Sequence, residues 1–300
     1  MRMNGLKMVR TGLGLLLSLV VLIAPAGASD PRQFGVVADD TSRTSLRFRQ
    51  QHIESPRGPR EVEIIDKQSY SIRHAQYFAL DGRLAYAAVQ LPYVNVEQSF
   101  ENSRRPSAQD DGVGDVMIGL GIGVYRVPAL SRDALKEYDR NGLSSACTVQ
   151  VAVPTASYVK NQSVNLTSNR WMVIPSCQLG WTQQQWVLEG VASMNWFSDN
   201  TDYRTGTFQQ DNSYSMKAMA SYSFIPEAWL AATLEYQYGG AVTRGVRSDN
   251  DGMNNWTAGA AVNFRLPGRN SLRVVGEWPI STAEGSSETK EISLVLSHVW

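Results

Sequence analysis

Lys290–Trp300, KEISLVLSHVW, is the stretch that decides how this chain folds. Counting back in twos from Trp300 gives His298, Leu296, Leu294 and Ile292 on one face, with Ser297, Ser293 and Glu291 on the other. Alternation with a period of two marks a β-strand, and an apolar face backed by a polar one suits a strand between lipid and a wet interior. If the rest of the chain repeats this pattern, the fold is a membrane barrel rather than a soluble domain.

The opposite end agrees. Arg2, Lys7 and Arg10 precede the apolar run Leu13 to Ala24, and Ala26-Gly27-Ala28 supplies small residues in an A-x-A arrangement. Together these predict a secretory signal peptide over residues 1–28, cleaved after Ala28. An apolar run of about 12 residues falls short of the roughly 20 that a spanning helix needs. No later apolar stretch is long enough to span as a helix.

Removing Arg2, Lys7 and Arg10 from a chain with 28 basic and 28 acidic residues leaves a net charge near −3. That balance argues against a nucleic-acid partner, which needs a concentrated basic face. A hydrophobic content of 43% is ordinary for a soluble protein and equally ordinary for a barrel with one wet face, so pattern must carry the distinction.

Upstream, the pattern repeats. Cys147, Val149, Val151 and Val153 share a face, and after a polar stretch Trp171, Val173, Cys177, Leu179 and Trp181 share the next. A short connection leads to Trp186, Leu188, Ala192, Met194 and Trp196. Each of these two strands carries Trp at both ends of its apolar face. At roughly 3.3 Å per residue and a tilt near 40°, that spacing covers about 25 Å of membrane, the separation of two aromatic girdles. Trp171, Trp181, Trp186, Trp196, Trp256 and Trp300 are therefore the predicted girdle. Further strands are expected near residues 213–224, 230–238, 256–266 and 272–280. The less regular first half supplies strands near 44–53, 68–80, 83–96 and 114–127, the first of them weakest because of Arg47, Arg49 and Gln50. The expectation is an all-β, transmembrane, antiparallel up-and-down β-barrel of about 12 strands, with 10 to 14 compatible with the pattern. Residues 44–300 form the barrel, residues 29–43 form an N-terminal segment able to sit inside as a short plug, and RDALKEYDR (132–140) suits one or two helical turns. Short turns belong on the periplasmic side and long loops outside.

Two resemblances follow from these residues. The closing strand resembles the C-terminal signature of bacterial outer-membrane barrels, which implies delivery through the barrel-assembly machinery. GVGDVMIG (112–119), VPTASY (153–158) and NTDYRTG (200–206) resemble recurring motifs of the outer-membrane proteins named for the meta pathway of phenol degradation, over more than half the chain. Ala156 stands where that family commonly has Gly. The resemblance implies a bacterial outer-membrane transporter of small hydrophobic or aromatic solutes.

The predicted inward, lumen-lining groups are Asp115, Met117, Gly119, Gly121, Gly123, Glu189, Lys217, Glu235, Arg265, Arg273 and Glu277. Their mixed signs suit either a selectivity lining or a salt-bridged filling. The three glycines suit either a widened lumen with a lateral exit or close packing against a bulky neighbour. Cys147 and Cys177 fall on adjacent strands on the lipid side, as a cross-strand disulfide or as two thiols. No cofactor, metal cluster or nucleotide motif is read. The expected function is passive passage, with outer-membrane lipid and small solutes as partners. A plugged barrel that binds ligands or surfaces through its loops, with Arg104, Arg105, Arg244 and Arg247, is the alternative. An outer-membrane hydrolase is a minor one, because only His52, His74 and His298 could serve as the base.

Overall fold

The structure is a computed structural model that describes residues 30–300 apart from 58–59, 204–205, 246 and 249–250. The predicted signal peptide lies outside the described residues. Twelve strands close the barrel: β1 (Ser42–Pro56), β2 (Val62–Leu80), β3 (Arg83–Glu101), β5 (Val116–Tyr125), β6 (Gly142–Val153), β7 (Met172–Gln183), β8 (Trp186–Phe197), β11 (Ser213–Ile225), β12 (Ala228–Gly239), β15 (Met253–Leu266), β16 (Asn270–Ser281) and β17 (Glu288–Val299). A thirteenth strand, β4 (Ala108–Val113), extends the wall on β3. Strands β9 (Asn200–Tyr203), β10 (Gly206–Gln210), β13 (Val242–Arg244) and β14 (Arg247–Ser248) form a small separate sheet. The helical turn expected after β5 is α1 (Arg132–Glu137), capped by the Ser131 hydroxyl.

Neighbouring strands are antiparallel throughout, and closure comes where β1 meets β17, with Arg43 opposite Val299 and Glu54 opposite Glu288. The first strand takes its place because its charges alternate: Arg43, Arg47 and Arg49 share the inner face, while Leu46 and Phe48 face out with Leu294 and Leu296 across the seam. The Asp81-Gly82 turn shows why the short ends are short. Both residues take positive φ, 48° and 69°, the conformation of a two-residue hairpin turn that glycine adopts without strain.

Outside, large apolar side chains are exposed in a continuous band, which places this barrel in a membrane. Trp171, Trp196 and Trp256 lie on the outer face near the long loops, and Trp181, Trp186 and Trp300 on the outer face near the short turns. Trp278 joins the first group, whereas Trp229 points inward and is buried. Cys147 and Cys177 are register partners on the outer face, with Cα atoms 4.1 Å apart, and are joined by a disulfide. Of the two alternatives the sequence left open, their directly opposite positions give the cross-strand disulfide.

Wall height is uneven. β2 and β3 run 19 residues each, about 60 Å at roughly 3.3 Å per residue, against 12 for β6 and β7. β3 pairs with β5 over Ala85–Gln90 and with β4 over Tyr93–Gln98, leaving a break at Gly114–Asp115. Among the described residues the far edge of β4 has no strand partner.

Candidate solute pathway

The lumen is filled in layers. At the extracellular end the loop between β6 and β7 folds inward, and its Val164 and Leu166 are buried against Ile53, Ile65, Val94 and Val96. Asp115 holds this loop: it accepts from the Thr155 and Ala156 amides at 3.0 Å each and from the Thr167 hydroxyl at 2.5 Å. It is a loop anchor at the break in the wall rather than a group on an open bore.

Beside Ile53, on the opposite wall of the lumen, lies a cavity of about 160 Å³ reached from Gln210, Gly240, Asp251 and Ser286. Ile53, Phe197 and Met253 give it apolar patches, while Ser193, Asn195, Ser213, Asn255 and Thr257 bring hydroxyls and amides. Its floor is charged. Lys217 binds Glu277 at 2.5 Å and Glu235 at 3.5 Å, and Arg49 binds Glu291 at 3.0 Å. Lys217 and Glu235 are 5% and 4% exposed, so burial of each charge is offset by its partners.

Towards the periplasm the N-terminal segment enters the barrel. Asp30 is bound by Arg47 and, at 3.3 Å, by Arg273. The Arg32 amide donates to Glu189 at 2.8 Å, and its guanidinium donates to the Ser221 and Ser223 hydroxyls at 2.7 Å each and to the Gln185 carbonyl at 3.2 Å. Arg32 and Arg273 both lie 5.2 Å from the centre of the inward Trp229 ring. Phe34, Val36 and Val37 pack on the cluster that includes Tyr77, Leu84 and Tyr86. Asp40 pairs with Arg132 at 2.9 Å where the segment leaves the barrel. Burial raises the Asp30 carboxyl, but Arg47, Arg273, Lys217 and Arg49 outweigh it and bring it down to about 2.

The remaining predicted lining residues sort by neighbour. Met117 is buried with Ala152, Met172 and Ile174. A Cβ on Gly121 would lie 2.2 Å from the Tyr86 ring, and one on Gly123 would lie 2.5 Å from Val127, so these two glycines make room for bulky neighbours. Gly119 has only ordinary contacts at 3.8 Å. Glu189 also accepts from Gln178 at 2.6 Å. Arg265 is exposed at the periplasmic rim, and Glu277 and Arg273 face the lumen as described.

Sequence reasoning passed over Arg43, Lys67, Arg73, Trp229 and the side chains of the N-terminal segment. For Arg43, Arg47 and Arg49 the signal was present as a period of two. The three histidines lie on outward-facing positions: His52 beside Asp66 at 2.8 Å, His74 beside Thr44 at 3.0 Å and His298 beside Asn270 at 2.9 Å.

Residues 67–286 match the family model described as the MetA-pathway of phenol degradation. The chain belongs to this family. The match takes in Lys217, Glu235 and Glu277 of the charged floor, the inward loop and every barrel strand from β3 to β16. No curated protein matches at the sequence level. Among solved structures, the COG4313 outer membrane channel of Pseudomonas putida F1 is 18% identical with a TM-score of 0.77, over 91% of this chain and 100% of that one. The β domain of the Bordetella autotransporter BrkA is 9% identical at a TM-score of 0.55, over 87% of this chain and 100% of that one. The translocator domain of the autotransporter NalP from Neisseria meningitidis is 10% identical at 0.51, covering 89% and 90%. With its lipid-facing band, girdles and closed wall, this family member is a channel-like barrel of the bacterial outer membrane.

Proposed function

We propose that the protein is a passive channel carrying small hydrophobic or aromatic molecules across the outer membrane, with residues 30–41 as its stopper. One observation carries this reading: a cavity of about 160 Å³ lies between the extracellular residues Gln210, Gly240, Asp251 and Ser286 and the charged floor. An internal cavity of about 150 Å³ is large enough for benzene. This one takes a single ring and supplies Phe197 and Met253 beside it. The lumen residues are a lining for that solute above the floor and a salt-bridged filling below it. Outer-membrane lipid surrounds the aromatic girdle, and the C-terminal strand carries the recognition by the barrel-assembly machinery. No catalytic step is assigned, because each histidine sits on the lipid side, away from the cavity.

The break at Gly114–Asp115 supports a second route within the same reading. A solute leaving the cavity would first displace the inward loop that Asp115 holds, then pass the end of β6 and the free edge of β4 sideways into the membrane without crossing the stopper. Single-channel conductance of the protein in planar bilayers, with and without small aromatic solutes, tests the proposal. Steady conductance that such solutes block supports axial passage. A silent bilayer, with solute uptake into vesicles retained, supports the sideways route. Silence and no uptake overturn both and leave a barrel that binds through its loops.

A further inference from the structure

A second cavity lies deeper in the lumen, between the N-terminal segment and the wall formed by β15, β16, β17, β1 and β2. Its volume is about 80 Å³, and its charged lining is Arg43, Arg47, Arg49, Arg73 and Arg273 against one acid, Asp30. Five guanidinium groups facing one carboxylate leave a surplus of four positive charges, which Glu291 on Arg49 lowers to three. Burying like charges together is costly unless anions or waters intervene. Glu189 also attracts Arg273, but it is shared with Arg32, so the surplus stays. Arg43 and Arg73 rest over the Tyr77 and Tyr86 rings, at 5.9 and 5.5 Å, and form no ion pair with a described carboxylate. The Nε of Arg273 is buried with no hydrogen-bond acceptor among the described residues.

We propose that this cavity is an anion site whose resident ligand is the Asp30 carboxylate and whose exchangeable ligand is the carboxylate of a small organic acid. The geometry favours a carboxylate because one is already held there: Asp30 Oδ2 receives both Arg47 and Arg273. Guanidinium forks match a planar carboxylate and present several donors to it. The adjoining space beside Tyr77, Tyr86 and Phe34 is about 40 Å³, too small for a ring while the segment is seated, so an aromatic acid sets its ring there by displacing Phe34. Because it competes with Asp30 for the same donors, it loosens the Asp30 end of the N-terminal segment. That last consequence rests on the segment being the stopper, whereas the binding itself does not.

The test is isothermal titration of benzoate into the full protein purified from membranes, at constant chloride, with phenol as the neutral single-ring control. Asp30→Asn removes the competing carboxylate and keeps every arginine, so benzoate binds at least tenfold tighter than to the unaltered protein. Arg43→Gln with Arg73→Gln leaves the Asp30 pairs intact and weakens benzoate at least tenfold. Phenol affinity is the same in all three. Heat-dependent gel migration verifies that each variant is folded, and the arginine pair reports independently if the Asp30 variant is not. Benzoate affinity unchanged or weakened in Asp30→Asn overturns the proposal, as does phenol affinity that tracks benzoate. Benzoate binding in a protein that neither conducts nor takes up solute into vesicles keeps the anion site while rejecting passage.

Discussion

Replacing Arg32 by Ala isolates what holds the N-terminal segment in the barrel. The side chain makes three hydrogen bonds, at 2.7, 2.7 and 3.2 Å, and stacks 5.2 Å from Trp229. Hydrogen bonds from a charged donor contribute roughly 1.5–3 kcal/mol when buried, so about 1 kcal/mol each is a fair discount for a partly exposed group. The longest of the three contributes least, and the cation–π contact adds about 0.5 kcal/mol. About 3 kcal/mol in total corresponds to roughly a hundredfold change in the ratio of seated to released segment, at 1.4 kcal/mol per tenfold. The backbone amide on Glu189 survives the change, so the segment is loosened rather than lost. In planar bilayers the fraction of time spent conducting should rise by that factor, up to the level reached on deleting residues 30–37. An Arg32→Ala protein that opens no more often than the parent, while the deletion opens fully, would refute the assignment of Arg32 as the anchor. A deletion with unaltered conductance would refute the stopper itself.

Three further outcomes follow from the packing. Gly121→Leu drives a side chain into the Tyr86 ring and should destabilise the barrel by about 1–3 kcal/mol, whereas Gly119→Ala, with 3.8 Å of room, should leave the urea midpoint unmoved. Reducing Cys147–Cys177, or replacing both by Ser, opens a link spanning 30 residues and should lower unfolding stability by about 3–4 kcal/mol, seen as a lower temperature for the gel shift. The Asp30 carboxyl falls from 3.8 to about 2, so its ion pairs add about 2 kcal/mol that is present above the ordinary carboxyl range and lost as pH falls through the folded value. Conductance should therefore stay flat from about pH 8 to 5 and rise only below about pH 3, with Asp30→Asn abolishing the rise; an opening near pH 6 would assign the control to another group.

What the sequence disclosed depended on how the side chains alternate. β7 and β8 were legible residue by residue because their outward faces are apolar and end in Trp. The opening strand was obscure for the opposite reason. Arg43, Arg47 and Arg49 resemble a solvated coil until the facing strands are known, and only closure against β17 makes their shared face an interior one. β4, β9, β10, β13 and β14 fall outside the strands expected from alternation because each is six residues or shorter, too short to show a period. Their pairing comes from backbone hydrogen bonds that composition does not encode. For the glycines of β5 the sequence left two outcomes open, and Tyr86, more than thirty positions earlier, decides between them. The segment from Asp30 to Asp40 has no period at all. Its place is set by individual pairings with Arg47, Arg273, Glu189 and Arg132, each distant in the chain.

The polarity of the upper cavity constrains the solute more tightly than apolar affinity alone. Its serines, asparagines and threonines offer polar partners, and a ring that covers them without replacing their hydrogen bonds to water loses affinity. A hydroxyl on the ring restores one such bond, and a second hydroxyl on the neighbouring carbon restores another, each contributing about 0.5–1.5 kcal/mol net. Block of conductance should therefore strengthen from toluene to phenol to catechol, by roughly three- to tenfold per hydroxyl, although hydrophobicity falls along the same series. The opposite order would mean that partitioning governs. It would move the binding site to the apolar groove of about 520 Å³ on the lipid side, where Leu46, Phe48, Tyr70, Ile72, Leu91 and Tyr93 offer almost no polar partner.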